Sequence, residues 1–192
     1  AKFIYISTAF IGGKDIETVK EEQIELTEGM SFTNEYEKTK LIAENIVLKE
    51  KKKKKLNTKI LRPSIVVGDT VKGNLINYNG FYLAVKAFYN FNKYLKETGK
   101  ENTVIRLLVS EESTINLIPI NKCIKMMLEI TNSKSMDKDV YAIINTEVIF
   151  TRDIIKLVGD YLKLNFRFVT SEEFLKKPRN RLEKTFMYGM NY

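Results

Sequence analysis

The chain has 192 residues, of which 44% are hydrophobic and 29% charged, the composition of a globular protein with one domain and its own core. It has no histidine and one cysteine, Cys123, which excludes a Ser–His–Asp triad, a histidine-ligated metal site and an internal disulfide. The net charge of +8 includes a lysine run at 51–55 that is typical of a solvated helix end. No long apolar stretch or signal peptide occurs, so we expect no membrane span. The single cysteine fits a reducing compartment, so we expect a cytoplasmic protein. The basic residues are not interleaved with aromatic residues and form no known binding module, so we expect no nucleic-acid partner.

The first six residues form an apolar run rich in strand-forming side chains, which predicts a buried strand. Because a protein rarely starts inside its own core, we expect this chain to be part of a longer protein. A loop of small residues follows at 7–13, and residues 14–33 are polar and acidic. We predict a surface excursion there, with a short helix around Val19–Ile24.

A helix is predicted next, capped by Thr33 or Asn34 and running to about Lys53, where the lysine run favours a helix end. Its predicted apolar face consists of Leu41, Ile42, Ile46, Val47 and Leu48. Residues 59–67 are rich in β-branched side chains, which predicts a strand. We predict a break at Pro63, because proline cannot donate to a central ladder. Residues 68–74 form the following loop.

The rest of the chain alternates in the same way. We predict a helix at Phe81–Leu95, a strand at Thr103–Leu108, a loop at Ser113–Pro119, a helix at Ile120–Ile130 packed through Ile124, Met127 and Leu128, a strand at Val140–Asn145, a helix from Thr151 to about Leu162, a strand at Phe166–Thr170 and a helical segment capped by Ser171. This alternation predicts an α/β protein with a mostly parallel sheet and flanking helices.

Tyr36 and Lys40 are four residues apart at the start of the predicted long helix, so both side chains lie on one face, one turn apart. A tyrosine has an ordinary pKa of about 10, and a neighbouring ammonium lowers that pKa, so the phenol can exchange a proton near neutrality. Carbonyl reduction by hydride transfer needs such a proton donor, and the ammonium has spare donors for a ribose hydroxyl. The same spacing also occurs by chance on surface helices.

Two further segments could belong to one site with this pair. Ser7 and Thr8 follow the first predicted strand, and ligands of an open α/β sheet bind at the carboxyl ends of its strands. A hydroxyl there could hydrogen-bond a substrate carbonyl, or it could serve ordinary turn chemistry. Irregular backbone at Pro63–Val66 could present main-chain groups to a nicotinamide amide, or it could simply be a proline at a strand end.

Together these motifs resemble the extended short-chain dehydrogenases/reductases, and within them the thioester-reductase and male sterility (fatty acyl reductase) branch. The motifs that carry the resemblance are Ser7–Phe10, then Asn34–Tyr36 with Lys40 and Glu44, then Arg62–Val66 with Gly68 and Asp69. The resemblance covers residues 1–75 strongly and the remainder loosely, through residues 116–121 and the strand and helix after Val140.

The resemblance implies the C-terminal part of a Rossmann-like fold, with a catalytic half at 1–70 and, at 71–192, the remaining strands and a substrate-binding region of the same continuous domain. Tyr36 would be the proton donor and Lys40 its pKa-lowering, ribose-binding partner. Thr8, or less favourably Ser7, would polarise the carbonyl. The residues that would line the nicotinamide are Pro63, Ser64, Ile65 and Val66. The implied cofactor is NADP, with NAD as the alternative, and the implied substrate is a thioester on an acyl carrier protein or coenzyme A.

The chain departs from the family at the phosphate-binding site. Relatives begin with a Gly-x-x-Gly-x-x-Gly turn, which this sequence lacks, so we expect the N-terminal, cofactor-binding half of the fold to be missing from it and the chain alone to be inactive. Two other functions stay open: a nucleotide-sugar epimerase or dehydratase of the same superfamily, and a non-catalytic Rossmann-like scaffold module.

Overall fold

A computed structural model describes residues 2–16, 18–75, 80–134, 137–147 and 149–190. The chain divides into two compact units, the first comprising Ala1–Leu75 and Asn116–Thr146 and the second Ile76–Ile115 and Glu147–Tyr192. The predicted single domain, divided at residue 70, stays a prediction.

The described elements follow one another in alternation along the chain. They are β1 (Lys2–Ile6), α1 (Glu35–Lys54), β2 (Asn57–Pro63), β3 (Ile65–Val67), α2 (Phe81–Glu97), β4 (Val104–Leu107), β5 (Thr114–Ile115), β6 (Leu117–Pro119), α3 (Ile120–Asn132), β7 (Val140–Ile143), β8 (Ile149–Phe150), α4 (Thr151–Leu162), β9 (Asn165–Phe168), α5 (Ser171–Lys176) and α6 (Arg181–Gly189). The α/β class predicted from the sequence is confirmed.

The first unit is built on a parallel sheet with the strand order β1-β2-β7. Ile6 lies opposite Leu61, and Pro63 lies opposite Ile143. A second parallel pair joins β3 to β6. In the described residues β1 pairs only with β2, and Phe3 is 49% exposed. The prediction that the first strand is buried was therefore wrong, because only one of its edges has a neighbour.

Helix α1 begins and ends by local rules. The side chain of Asn34 accepts a hydrogen bond from the Glu37 amide at 3.0 Å, and the left-handed Lys55 ends the helix after four lysines. Its buried residues are Leu41, Glu44 and Leu48. The predicted apolar face was wrong at Ile46, which is exposed, because the buried stripe includes a carboxylate that a search for apolar residues passes over.

Three other predicted elements differ in the structure. Residues 19–24 are irregular, with a bend at 21–22 and no helix, and Ile24 is buried against α1. Part of the predicted loop at 113–119 forms β5 and β6. Helix α3 packs through Cys123 and Ile130, whereas Ile124 and Leu128 of the predicted face are exposed.

The second unit packs α2, α4 and α6 against the parallel pair β4–β9. Its core contains the rings of Phe88, Phe91 and Phe186, with Phe88 and Phe91 each lying edge-on to Phe186. Strands β5 and β8 form a short antiparallel pair. Helix α5 is capped by Thr170, whose side chain accepts from the Glu173 amide, so the predicted cap at Ser171 was off by one residue.

None of the helices in the described ranges combines the length and apolar character needed to cross a membrane.

Candidate functional site

The carboxyl end of β1 carries the hydroxyl turn. The pairing with β2 continues past the strand, since the Ser7 amide donates to the Leu61 carbonyl and the Ala9 amide to the Pro63 carbonyl, each at 2.8 Å. Ser7 and Thr8 are both buried. The Thr8 hydroxyl oxygen accepts from the Phe10 amide at 3.2 Å, as in a turn, and its hydrogen remains available to donate. Both the turn role and a substrate role therefore fit Thr8.

The Ser7 side chain differs from that of Thr8. Its hydroxyl is one of three buried side-chain groups, within the described part of the chain, that have no hydrogen-bond partner. The other two belong to Thr58 and Ser64. A buried hydroxyl without a partner is costly and invites an explanation, and two of the three lie at the carboxyl ends of β1 and β2.

Helix α1 brings Tyr36 and Lys40 together, as the spacing predicted. The Lys40 ammonium lies 5.8 Å from the centroid of the Tyr36 ring and donates to the Ile6 carbonyl at 3.2 Å. Lys40 therefore joins the first turns of α1 to the last residue of β1, directly before Ser7. Tyr36 is 55% exposed, so its phenol is open to a ligand.

The same ammonium lies 5.8 Å from the centroid of a second ring, that of Tyr5. Partial burial raises the pKa of the Tyr5 phenol, and the negative charges of Glu44 and of an ionised Tyr36 add to the effect. Tyr5 therefore stays protonated at neutral pH. The sequence analysis missed Tyr5, although its position two residues before Ser7 placed it on the same face of the strand.

The predicted break at Pro63 is confirmed. Strand β2 ends at Pro63, Ser64 lies outside both strands, and β3 resumes at Ile65. The Ser64 amide donates to the Ile143 carbonyl at 3.0 Å, and the Ile65 amide to the Asn116 carbonyl at 3.3 Å. At Ser64 the chain thus leaves the β1-β2-β7 sheet and enters the β3–β6 pair, with its hydroxyl buried and without a partner. Val66, two residues after Ser64, is exposed.

The loop after β3 is ordered by Asp69. Its carboxylate accepts from the amides of Lys72, Val71 and Asn74, at 2.6, 2.8 and 3.0 Å. These hydrogen bonds, led by that of Lys72, lower the pKa of Asp69. The motif residue Asp69 therefore shapes the loop at the carboxyl end of β3 through hydrogen bonds from main-chain amides to its carboxylate.

A buried ion pair lies beneath α1 and was also missed. Arg62 of β2 donates from Nε and Nη2 to the Glu44 carboxylate, with the Nε contact at 3.2 Å. Both residues had been noted only as parts of motifs.

Among the described residues, no group of three or more His, Cys, Asp or Glu side chains could hold a metal ion.

Most of the chain matches one known protein family. The family model described as male sterility protein, a group of NAD-binding domains, matches residues 1–127. No curated protein matches the sequence significantly.

Solved structures share the fold. A thiolation–reductase di-domain of an archaeal non-ribosomal peptide synthetase is 18% identical with a TM-score of 0.67, and the match covers 100% of this chain and 40% of that one. The terminal R domain of the myxalamid biosynthetic pathway is 16% identical with a TM-score of 0.66, covering 97% and 46%. Thermus thermophilus UDP-glucose 4-epimerase, in complex with NAD, is 16% identical with a TM-score of 0.53, covering 99% and 64%. The chain thus spans 40–64% of the length of these structures, and at such identities the likeness shows the fold alone.

Proposed function

Because the chain belongs to the male sterility protein family of NAD(P)-binding domains, we propose that it is the catalytic part of an NAD(P)H-dependent reductase of acyl thioesters. The observation that carries the proposal is the hydrogen bond from Lys40 Nζ to the Ile6 carbonyl. It joins the tyrosine helix to the strand end that bears Ser7 and Thr8. The similarity in fold to a thiolation–reductase di-domain and to a terminal R domain supports a substrate carried by an acyl carrier protein. Coenzyme A is the alternative carrier in this proposal, and the proposed location is the cytoplasm.

Each side chain has one role in this proposal. Thr8 donates its free hydroxyl hydrogen to the thioester carbonyl oxygen, with Ser7 as the second candidate. Tyr36 gives its phenolic proton to the oxygen as negative charge develops there. Lys40 stabilises the phenolate that remains and offers its other N–H groups to the ribose of the cofactor.

The residues at the end of β2 fit the nicotinamide end of the cofactor. Ser64 has a buried hydroxyl with no partner in the described chain, and with Pro63, Ile65 and Val66 it forms the irregular edge beside the hydroxyl turn. When bound, NADPH, or alternatively NADH, supplies the hydride. The sequence has no Gly-x-x-Gly-x-x-Gly turn, so we propose that the phosphates are held by an N-terminal half of the same fold outside this sequence. We expect this chain alone to bind the cofactor weakly and to be inactive.

The proposed reaction is a two-electron reduction of the thioester. The carbonyl carbon gains a hydride and its oxygen gains the Tyr36 proton, which gives a hemithioacetal. Its carbon–sulfur bond then breaks and the hydroxyl proton passes to the sulfur, which releases a thiol and an aldehyde. The hydride transfer removes two electrons from the cofactor, and a proton from solvent restores Tyr36. A second hydride and proton would convert the aldehyde to an alcohol.

The test uses the full-length protein that contains this sequence. We expect it to consume NADPH when given an acyl-coenzyme A or acyl-pantetheine substrate, and we expect Tyr36→Phe to lower kcat by about 10²-fold or more, the range for general acid catalysis. Tyr161→Phe is the matched control, because Tyr161 is an exposed tyrosine on helix α4 of the second unit.

Two outcomes would count against the proposal. Absence of cofactor binding by calorimetry would exclude an NAD(P)H-dependent enzyme and favour a scaffold module. Cofactor binding with turnover of a nucleotide sugar, and none of a thioester, would assign the epimerase or dehydratase function instead.

A further inference from the structure

The Glu44–Arg62 ion pair is the most deeply buried polar feature of the first unit. Glu44 is 0% and Arg62 1% exposed. Removing two charges from water costs several kcal/mol for each ion, and a pair of this kind is often no more stabilising than apolar side chains of the same size. Stability alone is therefore a weak reason for the pair, and its geometry is the better guide to its role.

The guanidinium of Arg62 connects three parts of the chain. Nε and Nη2 donate to the Glu44 carboxylate on α1. Nη1 donates to the Lys20 carbonyl at 2.8 Å, and Nη2 also donates to the Glu22 carbonyl at 3.0 Å. One planar group thus holds strand β2, helix α1 and the backbone at 20–22, and only a fork of fixed shape can do this.

Both ends of the pair lie beside candidate site residues. Glu44 follows Lys40 by four residues on α1, so the two side chains lie on one face, one turn apart. Arg62 lies between Leu61 and Pro63, whose carbonyls accept from the Ser7 and Ala9 amides. The pair therefore fixes helix α1 against the same stretch of strand that carries the hydroxyl turn.

We propose that Glu44 and Arg62 are positioning residues for Lys40: they set the rotation and height of α1 on the sheet, so that the ammonium reaches the Ile6 carbonyl. The role rests on the function proposed above for Tyr36 and Lys40. The second effect of the pair is to hold the backbone at 20–22 against the same helix.

The second unit supplies a matched control. Arg106 donates from Nε at 2.7 Å and from Nη2 at 2.8 Å to the buried Glu183 carboxylate, and its Nη1 and Nη2 donate to the Lys177 and Pro178 carbonyls. This clamp has the same chemistry and similar burial, but its unit contains none of the residues proposed above as catalytic or cofactor-binding. A purely structural role predicts the same result for both clamps.

The first experiment needs no activity and uses this chain. In hydrogen–deuterium exchange we expect Glu44→Gln, an uncharged variant of equal size, to raise amide exchange at 35–41 and 18–24. Glu183→Gln should instead raise exchange at 177–189. Unchanged protection at 35–41 in Glu44→Gln would overturn the proposal. Arg62→Lys keeps the charge but loses the forked guanidinium, and it should also raise amide exchange at 35–41 and 18–24. It is the variant to use if Glu44→Gln folds poorly.

The second experiment uses the full-length reductase at a temperature where all variants are folded. We expect Glu44→Gln and Arg62→Lys to lower kcat on the order of 10²-fold, as for a misplacement of about 1 Å at a catalytic group, with little change in the KM for thioester. Glu183→Gln should keep the wild-type kcat. An equal kcat for the Glu44 and Glu183 variants would refute the positioning role. If the unmodified protein reduces no thioester, the proposed function fails, and the exchange pattern still decides whether the pair orders α1.

Discussion

Gly13 lies directly before the segment 14–33, which connects the hydroxyl turn to the tyrosine helix. Its replacement by alanine tests the close packing of this segment. Gly13 has φ +62°, in the left-handed region. A β-carbon there would overlap the main-chain carbonyl oxygen of Ser31. Gly29, within this segment, has φ +87° but no heavy atom within 4 Å of the equivalent position. The two glycines thus share the backbone strain and differ in the overlap.

The expected cost follows from these contacts. Left-handed backbone costs a non-glycine residue roughly 1–2 kcal/mol, and this applies to both variants. In Gly13→Ala the Ser31 backbone must also move, and this weakens two hydrogen bonds. The Ser31 carbonyl accepts from the Lys14 amide at 2.9 Å, and the Ser31 amide donates to the Asp15 carboxylate at 2.7 Å. At about 0.5–1.5 kcal/mol each, these bring the loss for Gly13→Ala to roughly 2–5 kcal/mol, against roughly 1–2 kcal/mol for Gly29→Ala.

Urea unfolding followed by circular dichroism would measure both losses in free energy of unfolding. Asparagine tolerates the left-handed region better than alanine, so Gly29→Asn should recover stability while Gly13→Asn should not, because its β-carbon still overlaps Ser31. A difference of less than about 0.5 kcal/mol between Gly13→Ala and Gly29→Ala, the range of ordinary surface substitutions, would contradict the close approach of Gly13 to Ser31.

Three further predictions concern acid stability, a helix cap and the aromatic core. Hydrogen bonds from Arg106 lower the pKa of Glu183 to about 2. The stability that the ionised Glu183 adds to the second unit should therefore be complete above the ordinary pKa of 4.5 and fall as the pH drops towards 2. Urea unfolding midpoints measured at each pH should show this dependence, and Glu183→Gln should lose it. Asn34→Ala should cost about 0.5–2 kcal/mol and speed amide exchange in the first turn of α1, whereas Asn34→Asp should keep the cap to the Glu37 amide. Phe186→Ala should cost about 3–5 kcal/mol in thermal unfolding, because Phe186 is buried with three aromatic rings at 5.0–5.6 Å, and an unchanged melting temperature would contradict this packing.

The sequence predicted the tyrosine helix well because its signals are local. A cap at Asn34, an acidic first turn and a lysine-rich last turn act within a few residues of each helix end. The same is true of Pro63, which ends a strand by its own covalent structure. The four-residue spacing of Tyr36 and Lys40 became one face of a helix for the same reason.

Prediction failed where a segment is held by distant residues. Residues 19–24 were predicted as a short helix, but Ile24 is buried against α1 and Arg62 binds the carbonyls of Lys20 and Glu22. These contacts stabilise an irregular backbone whose carbonyls face the guanidinium of Arg62. No pattern within the segment itself predicts its contact with Arg62, which lies 40 residues after Glu22.

The sequence by itself therefore determined the order of the longer helices and strands, the ends of α1, the break at Pro63 and the pairing of Tyr36 with Lys40, since caps, proline and helical spacing act over one or two turns. Only the tertiary structure decided that Lys40 reaches the Ile6 carbonyl and that a charged pair is buried under α1 beside Leu41 and Leu48. Glu44 would be a surface residue by composition alone. It is buried because Arg62, 18 residues further along the chain, is placed beside it by the pairing of β2 with β1, and a buried carboxylate is stable only with such a partner.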